Sequence, residues 1–277
     1  MTGAGPMRGG WTAGGWIGGG CLLLMALVAA GAPWLAPGDP LDMVARPLLA
    51  PFADPRFPLG TDQLGRDVLA GMIHGTRVSL IVGLAAAAAA IGIGILIGTL
   101  AGFLGGRVDD LLMRITEAFQ TVPAFLLALA MVSVLGASLA NIVLAIAISS
   151  WPATARLVRA EILSLRSRDY VDAARMAGMR PLAIAFGEVL PGALQPVVAL
   201  VGVTVGAAIL VESALAFLGL SDPNQVSWGG MVANGRAALR SAPYLVAIPG
   251  AAVALTVLAV SLAGDGIAAR LASRRDG

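Results

Sequence analysis

SLIVGLAAAAAAIGIGILIGTLAGFL, residues 79–104, runs for 26 positions without a charged residue. A helix of that length is about 39 Å long, more than the roughly 30 Å of bilayer hydrocarbon. Lipid offers no partner to backbone N–H and C=O groups, so such a run is stable there only as a helix that satisfies its own backbone. Working outward in both directions, comparable runs occur at Trp16–Leu35, Ala118–Leu135, Leu139–Ala155, Leu194–Leu218 and Tyr244–Ala263. With Ser79–Leu104 they predict an all-α integral membrane protein with six transmembrane helices. The third and fourth runs are separated only by Gly136–Ser138, and Pro123 and Pro152 lie near their ends. Proline is tolerated in membrane helices where neighbours satisfy the freed carbonyls.

The composition agrees. Of 277 residues, 58% are apolar and 12% charged, against about a quarter charged in soluble domains. Several function classes are excluded by what is missing. All 18 basic residues are Arg, and a P-loop needs a Lys to reach the nucleotide phosphates, so ATP hydrolysis through that motif is ruled out. One Cys, Cys21, precludes an internal disulfide or thiolate metal site, and one His, His74, precludes paired-His zinc motifs. No G-x-S-x-G elbow is present. His74 is read as an ordinary residue near the membrane surface. The chain is read as no enzyme, with no cofactor of its own. The net charge of +2 is small and the Arg residues are dispersed, unlike the basic stripe that nucleic-acid binding requires.

Arg placement sets the orientation. If the N-terminus is inside, the cytoplasmic set is Arg8, Arg107, Arg114, Arg156, Arg159, Arg166, Arg168, Arg175, Arg180, Arg270, Arg274 and Arg275. The outer set is Arg46, Arg56, Arg66, Arg77, Arg236 and Arg240, half as many. Both termini are therefore expected in the cytoplasm. Arg8, the apolar run from Ile17 and Ala30-Gly31-Ala32 have the outline of a cleaved leader, but the run is long enough to span and is read as the first helix.

Gly94, Gly98, Gly102 and Gly106 recur at four-residue spacing. Such a ridge of small residues lets another helix approach closely; in a chain with 36 Gly chance recurrence is the other reading. After the fourth run comes a polar stretch, Arg168-Asp169-Tyr170-Val171-Asp172-Ala173-Ala174-Arg175-Met176-Ala177-Gly178, continuing to Val189-Leu190-Pro191. Tyr170, Ala173, Ala174 and Ala177 share one helical face. Gly178 is a helix stop and Pro181 opens a second short helix. Small side chains on such a helix suit docking into a groove on another protein, and the Arg and Asp residues fix register.

The spacing D-A-A-x3-G-x11-L-P resembles the EAA loop of binding-protein-dependent ABC importer permeases, with Asp172 where a Glu usually stands. Further segments are similar to the C-type permease of dipeptide, oligopeptide and nickel importers. These are Pro58–Asp67, Arg77–Leu80, Gly105–Asp109, Glu212–Leu220, Ser227–Gly229 and Gly264–Gly266, which with the loop cover about 200 residues in order. Glu188 replaces an often-apolar position, and Ser221–Val226 is shorter than the usual outer loop. The resemblance implies a type I ABC importer permease bundle with a cytoplasmic EAA coupling helix. Asp172, Ala173, Ala174, Gly178, Leu190 and Pro191 would couple ATPase closure to the membrane helices. It also implies a homologous second permease subunit, two ABC ATPase subunits that bind the ATP and Mg, and an extracytoplasmic substrate-binding protein. Residues 1–74 would form the N-terminal tail, first helix and outer loop, 75–266 the permease domain and 267–277 a cytoplasmic tail, in a bacterial inner membrane.

Single residues carry further expectations. Glu212 lies inside the fifth run, where a carboxylate is costly; it is read either as an interface lock, paired with Arg236 or Arg240, or as a pathway residue. Asp265 is read as a boundary residue. Val68, Leu69, Met72 and Ile73 suggest a short helix on the outer surface. Trp16, Trp34, Trp151 and Trp228 are assigned to the membrane interfaces. Peptides are the favoured cargo, because one His and one Cys offer no obvious metal path; nickel or another small solute is the alternative. An ion-gradient-driven secondary transporter is the rival class, but it needs carboxylates near mid-membrane.

Overall fold

The computed structural model describes residues 13–273, which leaves Arg8, Arg274 and Arg275 outside the described residues. In chain order the helices are α1 (Ala13–Leu35), α2 (Val68–Leu104), α3 (Gly106–Thr121), α4 (Ala124–Leu135), α5 (Leu139–Leu165) and α6 (Asp169–Met176). Then α7 (Pro181–Ala183) passes through a π-helical turn, Ile184–Val189, into α8 (Leu190–Phe217), followed by α9 (Trp228–Gly235) and α10 (Tyr244–Ser273). Among the described residues five helical stretches are long and apolar enough to cross a membrane: Ala13–Leu35, Val68–Leu104, Leu139–Leu165, Pro181–Phe217 and Tyr244–Arg270.

The third expected span, Ala118–Leu135, takes a different form. α3 and α4 meet at an 83° bend and reach spanning length only as a pair. Val122 precedes Pro123 and is extended, with φ −100° and ψ 128°. The Pro ring crowds the α conformation of the residue before it, so the helix stops and restarts from Pro123. α4 alone, at 12 residues, is about 18 Å long and short of the hydrocarbon thickness.

Two other expectations are corrected. Val68–Ile73 is no separate surface helix but the first turns of α2, whose 37 residues extend about 55 Å. Asp67 caps it, its side chain accepting from Leu69 N–H at 2.8 Å. Pro181 likewise opens no isolated helix: the chain runs unbroken from Pro181 to Phe217. The π turn lies just before Pro191, and Leu190 N–H reaches Ala185 O. A widened turn there relieves the clash between the Pro191 ring and the preceding carbonyls.

The centre of the bundle is the seam between α2 and α5. A Cβ on Gly94 would lie 2.5 Å from Thr154 Cβ, one on Gly98 2.5 Å from Ala155 O, and one on Gly102 2.9 Å from Ile162 Cβ. Three of the four ridge glycines thus exist for close approach. Gly106 faces open space and opens α3 with φ +52°. Around the seam, Val82, Ala86, Ile142, Ile146 and Leu215 are buried in one apolar cluster, and Ala87, Val205, Ile209 and Val260 in another. α1 joins through Gly18, where a Cβ would lie 2.5 Å from Ala259 O of α10.

The two ends differ. At the α1–α2 end, residues 36–67 form no helix, yet they are cross-tied. Tyr244 donates its hydroxyl towards Leu49 O and Thr61 O at 2.7 and 2.8 Å, Thr61 donates to Arg46 O, and Leu49 N–H donates to Thr61 Oγ1. His74 Nε2 lies 2.9 Å from Ala36 O, so that nitrogen carries the proton and pins α2 to the end of α1. Trp16 and Trp34 are exposed, as an interfacial belt requires, but Trp151 and Trp228 are buried. Trp151 meets Phe119 edge-on at 5.3 Å, and Trp228 Nε1 donates to Met72 O at 3.1 Å. Their indoles cement helices instead of reporting depth.

Candidate functional site

At the opposite end the α2–α5 seam emerges, and α6 packs beside it on the π turn, Ile184–Val189. The α6 sequence mixes charges with small and apolar residues, and of these only Val171 is fully buried. Val171 belongs to an apolar cluster with Phe103 of α2, Val158 and Ile162 of α5, and Ile184, Ala185 and Val189 of the π turn. Burying a Val side chain contributes roughly 1.5–3 kcal/mol, enough to seat a two-turn helix that has little stability alone. Ala174 and Leu190 pack on the rim of the same cluster.

Polar contacts fix the seating. Arg175 donates to Asp172 Oδ1 at 3.0 Å while its guanidinium lies 5.9 Å from the centre of the Phe103 ring. Arg166 Nη1 donates to Gly102 O at 2.9 Å, and Arg159 pairs through two bonds with Asp109. These contacts join α5 to the end of α2 and to α3. Both members of the Arg175–Asp172 pair are at least half exposed, so it contributes little energy and mainly sets register.

α6 ends as the sequence predicts. Gly178 has φ +78°, its N–H donates to Arg175 O at 3.0 Å, and Met179 N–H donates to Ala174 O at 3.2 Å. That pair of bonds is a Schellman cap, which needs a left-handed residue such as Gly. The remaining surface of α6 is free: Asp172, Ala173 and Ala177 are exposed, Tyr170 is 43% exposed and Met176 84%. Met179, Leu182 and Phe186 continue this apolar, small-residue surface onto α7 and the π turn. Of the predicted coupling residues, Asp172, Ala173, Ala174 and Gly178 thus share one helix and its cap. Leu190 and Pro191 start α8 beside them, Leu190 packed and Pro191 exposed. Glu188 is exposed and Val189 fully buried, so the charge disturbs no packing. Sequence reading missed the anchor Val171, which is not among the residues of the Tyr170, Ala173, Ala174 and Ala177 face that the pattern marks.

Glu212 lies about 30 Å further along α8 and is 3% exposed. The expected Arg partners are elsewhere: Arg236 donates to Phe217 O at 2.8 Å and lies 5.2 Å from the Phe217 ring centre. Glu212 instead accepts from Ser227 Oγ at 2.6 Å. Ser227 caps α9 by accepting from Gly230 N–H at 3.0 Å, and Trp228 N–H donates to Ser79 Oγ at 3.2 Å. Glu212, Ser227, Trp228 and Ser79 form a buried latch that joins α8, α9 and α2. Asp265 is exposed on α10, beside Gly264, which meets Gly202 of α8 backbone to backbone.

A bundle of apolar spanning helices, carrying at one end an anchored helix with an exposed small-residue face, defines a polytopic membrane protein. The chain belongs to the family of binding-protein-dependent transport system inner membrane components, which its residues 94–277 match. It is 42% identical over 252 residues to the di/tripeptide transport system permease protein DppC of Pseudomonas aeruginosa (strain UCBPP-PA14), an alignment covering 89% of this chain and 83% of that protein. The dipeptide transport system permease protein DppC of Haemophilus influenzae is 36% identical, covering 89% and 85%. The probable D,D-dipeptide transport system permease protein DdpC of Escherichia coli K12 is 39% identical, covering 89% and 83%. The chain is therefore a multi-pass inner-membrane permease subunit of an ABC importer. It is not an enzyme, and it works beside separate ATPase and binding-protein components.

Proposed function

We propose that this chain forms half of the translocation path of a peptide importer, with both termini cytoplasmic and α6 docked in a groove of an ATPase subunit. The relatives' names support the cargo, and the excess of Arg assigned to the α6 side, nine against six among the described residues, supports the orientation. The partners in this reading are a homologous second permease, two ATPase subunits that bind ATP and Mg, and an extracytoplasmic binding protein.

The observation that carries it is the seating of α6. Val171 and Ala174 belong to one apolar cluster with residues of α2, α5 and the π turn, and α6 packs directly on that turn, so displacement of α6 by ATPase closure is passed first to the π turn and through the shared cluster to α2 and α5. The glycine seam makes α2 and α5 one rigid body, which carries the displacement through the membrane. That is the physical basis of alternating access: two packings of the bundle, with the nucleotide state biasing one of them. Asp172, Ala173, Ala174 and Gly178 form the contact, and Leu190 and Pro191 pass it to α8. Glu212, locked among serines inside one chain, holds α9 in place and lines no path.

Reconstitution with the ATPase subunits, second permease and binding protein tests this reading. Uptake of a short peptide that requires ATP and is lost on deleting residues 169–178 is the expected result. Uptake by this chain alone on a proton or sodium gradient would overturn it.

A further inference from the structure

At the end opposite α6 a cavity of about 480 Å³ opens between the 36–67 segment, the start of α2, α9 and the loop after α8. Its size falls within the range of small-molecule sites. Val68, Met231 and Leu245 give it an apolar lining, and Val68 and Leu245 are buried. Arg66, Asp62 and Asp222 supply its charges.

The charges are unevenly committed. Asp222 accepts from Leu139 N–H at 3.0 Å with one oxygen and from Asn224 N–H at 2.9 Å with the other. Asp62 Oδ1 accepts from Leu64 N–H at 2.8 Å and Arg66 N–H at 2.9 Å. Its Oδ2 receives no hydrogen bond from a described residue. Arg66 forms no ion pair and no side-chain hydrogen bond with any described residue; its Nε is sealed from solvent, which leaves the two terminal nitrogens as the donors a ligand can reach. An unpaired guanidinium beside an apolar lining is costly, and no carboxylate of the cavity turns to it. A planar fork of donors is matched best by a carboxylate.

We propose that this cavity is a reception site for a small zwitterion, with a free carboxylate on Arg66 and an ammonium on Asp62 Oδ2. Under the peptide-import reading, on which this rests, the occupant is a short peptide with both ends free. The site then reads free termini within the permease itself, in addition to any selection by the binding protein. A short peptide with both ends free carries both complementary charges on one small molecule, matching the Arg66 and Asp62 that line the cavity.

Equilibrium dialysis of labelled tri-alanine against the two permeases in nanodiscs, without binding protein or ATPase, tests the proposal. Expected are saturable binding and a roughly ten-fold weaker response to the C-terminal amide of tri-alanine, the size of one charge-assisted pair. Arg66→Gln should abolish that preference and Arg66→Lys partly restore it. Absence of saturable binding would overturn the proposal, as would equal binding of acid and amide by the unaltered chain. So would an Arg66→Gln effect confined to association with the binding protein, since the carboxylate would then come from a protein side chain. ATP-dependent uptake by the complete complex, measured in parallel, separates the two readings. If uptake persists without tri-alanine binding, the reception site is wrong and the permease reading stands; if uptake is absent, the permease reading itself falls.

Discussion

The two ends of the bundle are finished to different degrees. At the α9 end the irregular chain is closed by its own hydrogen bonds: Tyr244 to the 36–67 segment, Ser227 to Glu212, Trp228 to Met72 and Ser79. At the α6 end one buried valine and a few bonds at its flanks seat a helix that leaves alanines and Met176 exposed. The contrast implies that substitutions in the Glu212–Ser227–Trp228 latch change the stability of the chain, whereas those on the exposed face of α6 change what the chain does with a partner.

The sharpest way to break that contrast is Ala173→Trp. On an exposed face it should leave thermal unfolding of the purified chain unchanged while lowering ATP-dependent uptake roughly a hundred-fold through overpacking in the docking groove. A parallel loss of stability would show that α6 is structural. The next largest effect belongs to the seam both ends share. Gly98→Leu would thrust side-chain atoms into the α5 backbone and should cost about 3 kcal/mol or more, read as lost folded protein in membranes. Gly92→Ala, where a Cβ meets nothing within 4 Å, should be neutral.

At the α9 end, Glu212→Ala removes the acceptor of Ser227 and should destabilise the chain by about 1.5–3 kcal/mol. Glu212→Gln keeps an acceptor and should preserve assembly and transport. Loss of transport from an assembled Glu212→Gln complex would assign the residue to the path. The smallest expected changes are about 1 kcal/mol each. Trp228→Phe loses one bond to Met72 O, and Gly178→Ala forces a side chain into the left-handed cap. Only the second should also slow uptake, because it reshapes the end of α6.

Much of this architecture is legible in the chain itself. Uncharged runs near 20 residues long mark the single-helix spans, because hydrocarbon imposes the same demand on each. The Val122–Pro123 break is not legible in the same way: hydropathy sums composition and is blind to one residue's φ and ψ, which turn the chain by 83°. Gly94, Gly98 and Gly102 announce a close approach, but their spacing does not name α5 as the partner. For α6, the Gly178 cap follows from residue type alone, whereas Val171 emerges only once α2, α5 and the π turn converge. Glu212 was expected beside an Arg because a buried charge calls for a counter-charge. Its actual partner is a hydroxyl brought by the α9 cap, a contact fifteen residues away that depends on how the intervening loop folds.

The central claim, that the Asp172–Gly178 turn lies on the ATPase side of the membrane, has a direct measurement. Cys21 is the chain's one cysteine, so Cys21→Ser with Ala177→Cys places a single thiol on the exposed face of α6. Treated with a membrane-impermeant maleimide, inverted vesicles should label and right-side-out vesicles should not. Bound ATPase subunits should then protect the thiol. Labelling from the outer face of right-side-out vesicles would contradict the account.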